Sequence, residues 1–242
     1  MSTQYLIDYH WEIDEQKLFG TSLHLLTFNP SRRDATLDVT VYHEDREPDK
    51  VALSAVAGKS NESNYSKWPV QRGERFALKI DSSEPVVCQC TVAWNNSLNH
   101  YAPGSETHAP EGLRECAWTY TAHRELNTDW YAADCIVINN SAAMYVKEVE
   151  WVIVLNPGNR PAGVKLELHY GDGSIAEHPV EVGARRLKAV CVDDIGRQNA
   201  HYGLHVRSDT PVAVQSARGF YWYDRPDLMN YWTVPCVPGP LG

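Results

Sequence analysis

"WVIVLNPGNRPAGVKLELHYGD", residues 151–172, decides how the rest of the chain is read. Val152 and Val154, then Val164, Leu166 and Leu168, recur at every second position, the period of a strand with one face turned to a core. Asn156, Pro157, Gly158 and Asn159 between the two runs are turn residues, so the segment predicts two strands joined by a hairpin turn. An earlier stretch, "HLLTFNPSRRDATLDVTVYHED" at 24–45, writes the same phrase, with Asn29-Pro30 answering Asn156-Pro157. Further on, Phe76, Leu78, Ile80, Pro85 and Gln89 answer Tyr202, Leu204, Val206, Pro211 and Gln215 at one constant offset. Each half opens on a Trp beside an acidic residue, in "HWEID" and "DWYAAD", and closes on Trp-Thr, in "CAWTYT" and "NYWTVP". The chain therefore reads as two copies of one unit, 5–124 and 127–238, the first carrying a long loop at 95–115.

Residues 36–43, 75–80, 85–94, 164–170 and 186–192 each alternate or run β-branched, and stretches rich in Gly, Pro, Asn and Asp separate them. A helical period is almost nowhere to be found. The fold class is all-β, with two tandem β-sandwich domains produced by internal duplication.

With 43% hydrophobic and 22% charged residues the composition is that of a soluble globular protein. A net charge of -9 argues against a broad hold on nucleic acid or on an anionic membrane. The first residues lack a basic segment followed by an apolar one, and no window approaches a membrane span, so a cytoplasmic protein is expected. The six cysteines sit at irregular spacings, several inside apolar runs such as "VVCQC" and "KAVCVDD". In a reducing compartment these are expected as buried thiols. No metal site and no cofactor is expected.

The order "VLNPGNRPAGVKLELHYGDGSIAEHPVEVGARRLKAVCVDDI" followed by "SDTPVAVQSARG" resembles the sensory-rhodopsin transducer superfamily of small prokaryotic β-sandwich domains. The matching positions are Leu155-Asn156, Tyr170, Ala184-Arg185-Arg186, Pro211-Val212, Gln215 and Arg218. The resemblance implies a non-catalytic domain that self-associates, binds a small molecule such as a sugar or related metabolite, and in some cases couples to a signalling partner. The first half departs from the pattern: it has "VQRGERFAL" in place of Ala-Arg-Arg, and Val92 where Arg218 stands. A polar site is therefore expected in the second copy.

The residues offer their own case for a ligand. Residues 218–232 gather Phe220, Tyr221, Trp222, Tyr223, Tyr231 and Trp232 beside Arg218, Asp224, Arg225, Asp227 and Asn230. A sugar needs a flat apolar platform for its C-H face and planar hydrogen-bonding partners for its hydroxyls. Three consecutive aromatics in a strand cannot share one face, so at least one of Tyr221, Trp222 and Tyr223 points away from the domain interior, into a pocket or a subunit interface. The expected ligand-binding set is Gln215, Arg218, Tyr221, Trp222, Tyr223 and Arg185, with Trp94 and Gln89 as first-copy counterparts. Arg185 is equally explained as a solvated strand-entry residue, and Gln89 and Gln215 as amides bonding backbone across the sheet. His169 reads as a half-buried strand residue.

Two alternatives belong to other classes. An exposed aromatic strand would serve an adaptor that docks a protein partner or a second copy of the chain. A sugar-active enzyme would use paired carboxylates or His100, His108 and His123 of the first copy, but their spacing with Cys116 fits no zinc finger and no helical His pair. There is no Gly-x-Ser-x-Gly elbow and no phosphate-binding Gly loop, so binding without catalysis is the expectation.

Overall fold

A computed structural model describes residues 2–9, 20–64, 68–70, 74–95, 116–141, 146–222 and 229–240. Among these residues every regular element is a strand, apart from one 3-10 turn at Val192–Asp194. The chain divides into two compact units, Met1–Val41 with Asp49–Ala122, and Tyr42–Pro48 with His123–Gly242.

The first unit is built from β1 (Ser2–Tyr9), β2 (Gly20–Phe28), β3 (Ala35–His43), β4 (Asp49–Ala55), β5 (Ser60–Asn64), β6 (Arg75–Ser82), β7 (Val87–Asn95) and β8 (Cys116–Thr121). They form two four-stranded sheets, ordered β1-β6-β3-β4 and β5-β2-β7-β8. The second unit comprises β9 (Asn127–Ser141), β10 (Val146–Asn156), β11 (Ala162–Tyr170), β12 (Ile175–Val182), β13 (Arg186–Cys191), β14 (Ala200–Trp222), β15 (Met229–Pro235) and β16 (Val237–Pro238). Its pairings repeat the first unit's order strand for strand. One layer runs β9-β14-β11-β12 and the other β13-β10-β14-β15, so β14 stands where the first unit has both β6 and β7.

Strand β14 serves both layers by changing partners along its length. Residues 200–208 pair with β11 and β9, and residues 213–222 pair with β10 and β15. Register against β9 shifts between Arg207 and Val212, where Pro211 has no N–H to donate. Burial follows the two-residue period. In β11 the core-facing Val164, Leu166 and Leu168 alternate with Lys165, Glu167 and His169. The edge strand β12 alternates exposed and half-buried residues and tolerates Pro179 opposite Lys165. Each unit has its own core, one around Trp130, Val152, Leu166 and Val206, the other around Leu6, Leu37, Phe76 and Leu78. Cys88, Cys90, Cys135 and Cys236 are buried as free thiols.

The Asn-Pro turns correct the hairpin expectation. Strands β10 and β11 do not pair with each other: β11 pairs with the first half of β14 and β10 with the second, while β2 and β3 lie in separate sheets, so each turn carries the chain across the sandwich. A crossing leaves backbone carbonyls without ladder partners, and a buried Asn side chain takes them up. Asn156 Nδ2 donates to the carbonyls of Arg160, Val182 and Gly183 at 2.8, 3.2 and 3.1 Å, and Oδ1 accepts from Gly158 N at 3.0 Å. Asn29 repeats the clamp on Arg33, Ala55 and Ser31.

Asn156→Ala is expected to cost about 3 kcal/mol, because buried carbonyls are left without donors. Asn156→Asp, which keeps the acceptor but loses both donors, is expected to cost at least as much. Urea unfolding of the two variants checks this, and an Asp variant as stable as the parent would refute the clamp.

Candidate functional site

Gln215 and Arg218 lie on β14 in an unbroken ladder with β10, opposite Ile153 and Glu150. Three residues apart on a regular strand, they occupy opposite faces and do not share a site. Both are buried, at 3% and 4% exposure. Arg218 donates through Nη2 to the Asp134 carbonyl, and the same nitrogen stands 3.7 Å from the carboxylate of Glu150, which has no exposed surface. Glu150 also accepts from Ser216 Oγ at 2.6 Å, Tyr202 Oη at 2.8 Å and Ile136 N at 3.1 Å. Burial, reinforced by the Glu150 charge, pushes the pKa values of the Tyr202 hydroxyl and the Cys135 thiol far above their usual range, so both stay neutral. The arrangement is a buried ion pair with its lone pairs satisfied, and Arg218 is its cation.

The other sequence candidates are dispersed. Arg185 is exposed, has a left-handed φ of 56°, and neighbours Arg186, which pairs with Glu47. Gln89 is half-buried on β7 between Leu26 and Thr121. Trp94 lies on β7, and Tyr221 and Trp222 on β14, with their side chains outside the described residues. Tyr223, His100 and His108 also lie outside the described residues. His123 is not part of a histidine cluster among the described residues. Its ring meets Trp130 edge-on at 5.0 Å, and burial lowers its pKa to about 4.

The residues that do converge stand at the other end of β14. A groove of about 600 Å³ is walled by Tyr131, Asp134, His169, Gly203, His205 and Val237. Glu167 and His169, two apart on β11, share a face, and His205 is the ladder partner of Glu167. His205 is 7% exposed and sits between two carboxylates, with Nε2 3.0 Å from Asp129 Oδ1 and Nδ1 3.1 Å from Glu167 Oε2. Tyr131 stacks on the His205 ring at 4.3 Å and 15°, yet keeps 42% of its surface exposed. Lys165 Nζ, 2.7 Å from Glu167 Oε1, holds that carboxyl below its usual range. The His205 hydrogen bond does the same for Asp129. The groove thus combines an exposed aromatic face with apolar walls, and Asp129 and Glu167 bracket the His205 ring that lines it.

The first unit lacks this set. Lys79 pairs with Tyr5 as His205 pairs with Tyr131, and Thr3 and Asp81 occupy the positions of Asp129 and Arg207. Thr40 and Tyr42 stand where β11 has Glu167 and His169. The sequence signal for the missed site was the Glu-x-His spacing on β11, which places both side chains on one face. Its third member, His205, is brought opposite only by strand pairing.

Two outcomes test these assignments. Arg218→Ala is expected to destabilise the protein by about 3–5 kcal/mol, since it strands a buried carboxylate, and Glu150→Gln in the same chain should recover part of that loss in urea unfolding. With its pKa moved from the usual 6.5 down to about 4, His123 binds a proton more readily in the unfolded chain. Its contribution is complete above pH 6.5 and is lost as pH falls toward 4. His123→Phe should therefore show a smaller fall in melting temperature between pH 7 and pH 5 than the parent does.

The sequence profile described as Anabaena sensory rhodopsin transducer matches residues 13–100 and again 127–220. No curated protein matches the chain. Among solved structures, the chain is similar to Thermotoga maritima 1070, with 18% identity over 47% of this chain and 95% of that one, at a TM-score of 0.41. It is also similar to the Anabaena sensory rhodopsin transducer, with 24% identity over 37% of this chain and 86% of the other, at a TM-score of 0.33. With both halves matched by one profile, the chain belongs to the Anabaena sensory rhodopsin transducer family and carries two tandem copies of its domain.

Proposed function

We propose that the second copy is a non-enzymatic binding domain for a small polar ligand of the sugar or sugar-derivative class, held in the groove lined by Tyr131, Asp134, His169 and His205. The observation that carries this reading is the exposed Tyr131 ring fixed in orientation by its stack on His205. A fixed ring presents a flat apolar platform without losing rotamer freedom on binding, and the adjacent carboxylates and imidazole accept and donate to ring hydroxyls. A volume near 600 Å³ suits a mono- or disaccharide-sized guest. Arg218 and Gln215, buried on opposite faces of β14, serve the scaffold in this reading, and the ligand contacts come from β9, β11 and β14.

A second reading has its own observation. Val237 is 63% exposed and pairs with Tyr131, so the two side by side form an apolar spot suited to a protein partner, consistent with a family named for signal transduction.

A thermal-shift screen against monosaccharides, sugar acids and sugar phosphates separates the two. A ligand at one hundred times its Kd stabilises the folded state by about 2.7 kcal/mol. A dose-dependent rise in melting temperature that Tyr131→Ala removes would support the sugar reading. A flat screen, or a shift indifferent to Tyr131→Ala, would overturn it.

A further inference from the structure

We propose that Glu167, His169 and His205 form a site for one divalent transition-metal ion of the zinc class, on the face shared by β11 and β14. The inference is independent of whether the groove also holds an organic ligand.

One donor atom from each residue lies within 4.8 Å of the other two. Glu167 Oε2 is 3.1 Å from His205 Nδ1 and 3.5 Å from His169 Nε2. Ligand atoms on a tetrahedral zinc ion with bonds of about 2.0–2.1 Å stand about 3.3 Å apart. Two of the three separations therefore already suit a bound ion, and the third, within 4.8 Å, closes by rotation of the His169 ring, whose side chain is 43% exposed.

The surroundings prepare the donors. His205 Nε2 lies 3.0 Å from Asp129 Oδ1 and 3.4 Å from Arg207 Nε; in the neutral tautomer whose proton is on Nε2 and shared with Asp129, Nδ1, the atom facing Glu167, carries the lone pair. A carboxylate behind a ligating imidazole is the usual second layer of a zinc site, fixing the tautomer and raising ligand basicity. Lys165 and Arg207 lie at 2.7 and 3.7 Å from Glu167 Oε1, so the carboxylate is held by one oxygen and offers the other. Without an ion, His205 has carboxylate oxygens at both nitrogens; a metal on Nδ1 supplies the positive charge between them. Two imidazoles and one carboxylate favour zinc, cobalt, nickel or copper over magnesium or calcium. Three protein donors leave a fourth position for water or a ligand atom. The first unit, with Thr40, Tyr42 and Lys79 at the equivalent positions, has no such donor set.

The test uses the untagged full-length chain. Equilibrium dialysis against zinc chloride with metal quantification should return one tightly held ion per chain, and cobalt loading should give the intense visible absorption of a tetrahedral centre. His169→Ala, at an exposed position that does not endanger folding, should weaken zinc binding by about tenfold or more and abolish the cobalt spectrum. Asp129→Asn should weaken binding by about 10–100-fold without abolishing it. His201→Ala, at an exposed histidine on β14, the strand that carries His205, should change nothing. Absence of bound zinc in the parent chain, or zinc retained unchanged in His169→Ala, would overturn the proposal.

Discussion

The buried amide of Asn156, and of Asn29 in the first copy, is the constraint from which the rest of the sandwich follows. A strand leaving one sheet for the other must abandon its ladder, and the Asn156 amide supplies donors to the buried carbonyl of Val182 and to those of Arg160 and Gly183 at the edge of the core. Because one side chain gathers carbonyls from both the crossing and the end of β12, it sets where β11 begins and ties β12 to it. Strand β11 is then laid beside the first half of β14, and that pairing brings Glu167 opposite His205. A polar residue in the core thus determines the geometry of a surface groove.

The period-two pattern made the layers legible. The apolar alternation in 36–43, 75–80 and 164–170 marks the strands β3, β6 and β11, and the repeated Asn-Pro phrase marks the duplication. The turn between the paired runs was misread for a physical reason: turn chemistry signals a change of direction and carries no information about whether the next strand returns to the same sheet. Such a distinction rests on Asn156, whose burial is a property of the assembled core. The site was less legible still. Arg218 and Gln215 stand out in the sequence because polar residues in an apolar strand call for an explanation, but here the explanation for Arg218 is an internal counter-ion, Glu150, sixty-eight residues earlier in the chain. Asp129, Glu167 and His205 sit in unremarked alternation on three separate strands, and their meaning exists only after pairing.

The Glu150 cluster shows why a buried charge can persist in a small sandwich. Ion-pair attraction alone does not repay desolvation of a carboxylate and a guanidinium. Hydrogen bonds from Ser216, Tyr202 and the Ile136 amide stabilise the charged carboxylate, while the Asp134 carbonyl accepts from Arg218 Nη2. These partners lie on β9, β10 and β14, so the network ties the stretch of β9 that pairs with the first half of β14 to the sheet built around the second half. The first copy has Leu23 and Val92 at the two charged positions, so the pair is not repeated there.

That comparison separates what the fold needs from what has been added to it. The Asn clamps, the strand order and the core alternation recur in both copies, and they are the features a β-sandwich cannot lose without leaving backbone groups unpaired. The Glu167, His169 and His205 cluster and the Glu150 and Arg218 pair occur in the second copy alone, at positions where the first copy holds residues equally compatible with the same backbone. The second-copy cluster sets a buried imidazole between two carboxylates beside an exposed aromatic ring, and it is on this addition that the proposed binding role rests. The buried pair adds no groups to the groove, but through the Asp134 carbonyl it anchors the strand whose neighbouring residues, Tyr131 to Asp134, form the groove's wall. The two second-copy additions therefore act on one strand, β9, one fixing its path and the other using the surface that path creates.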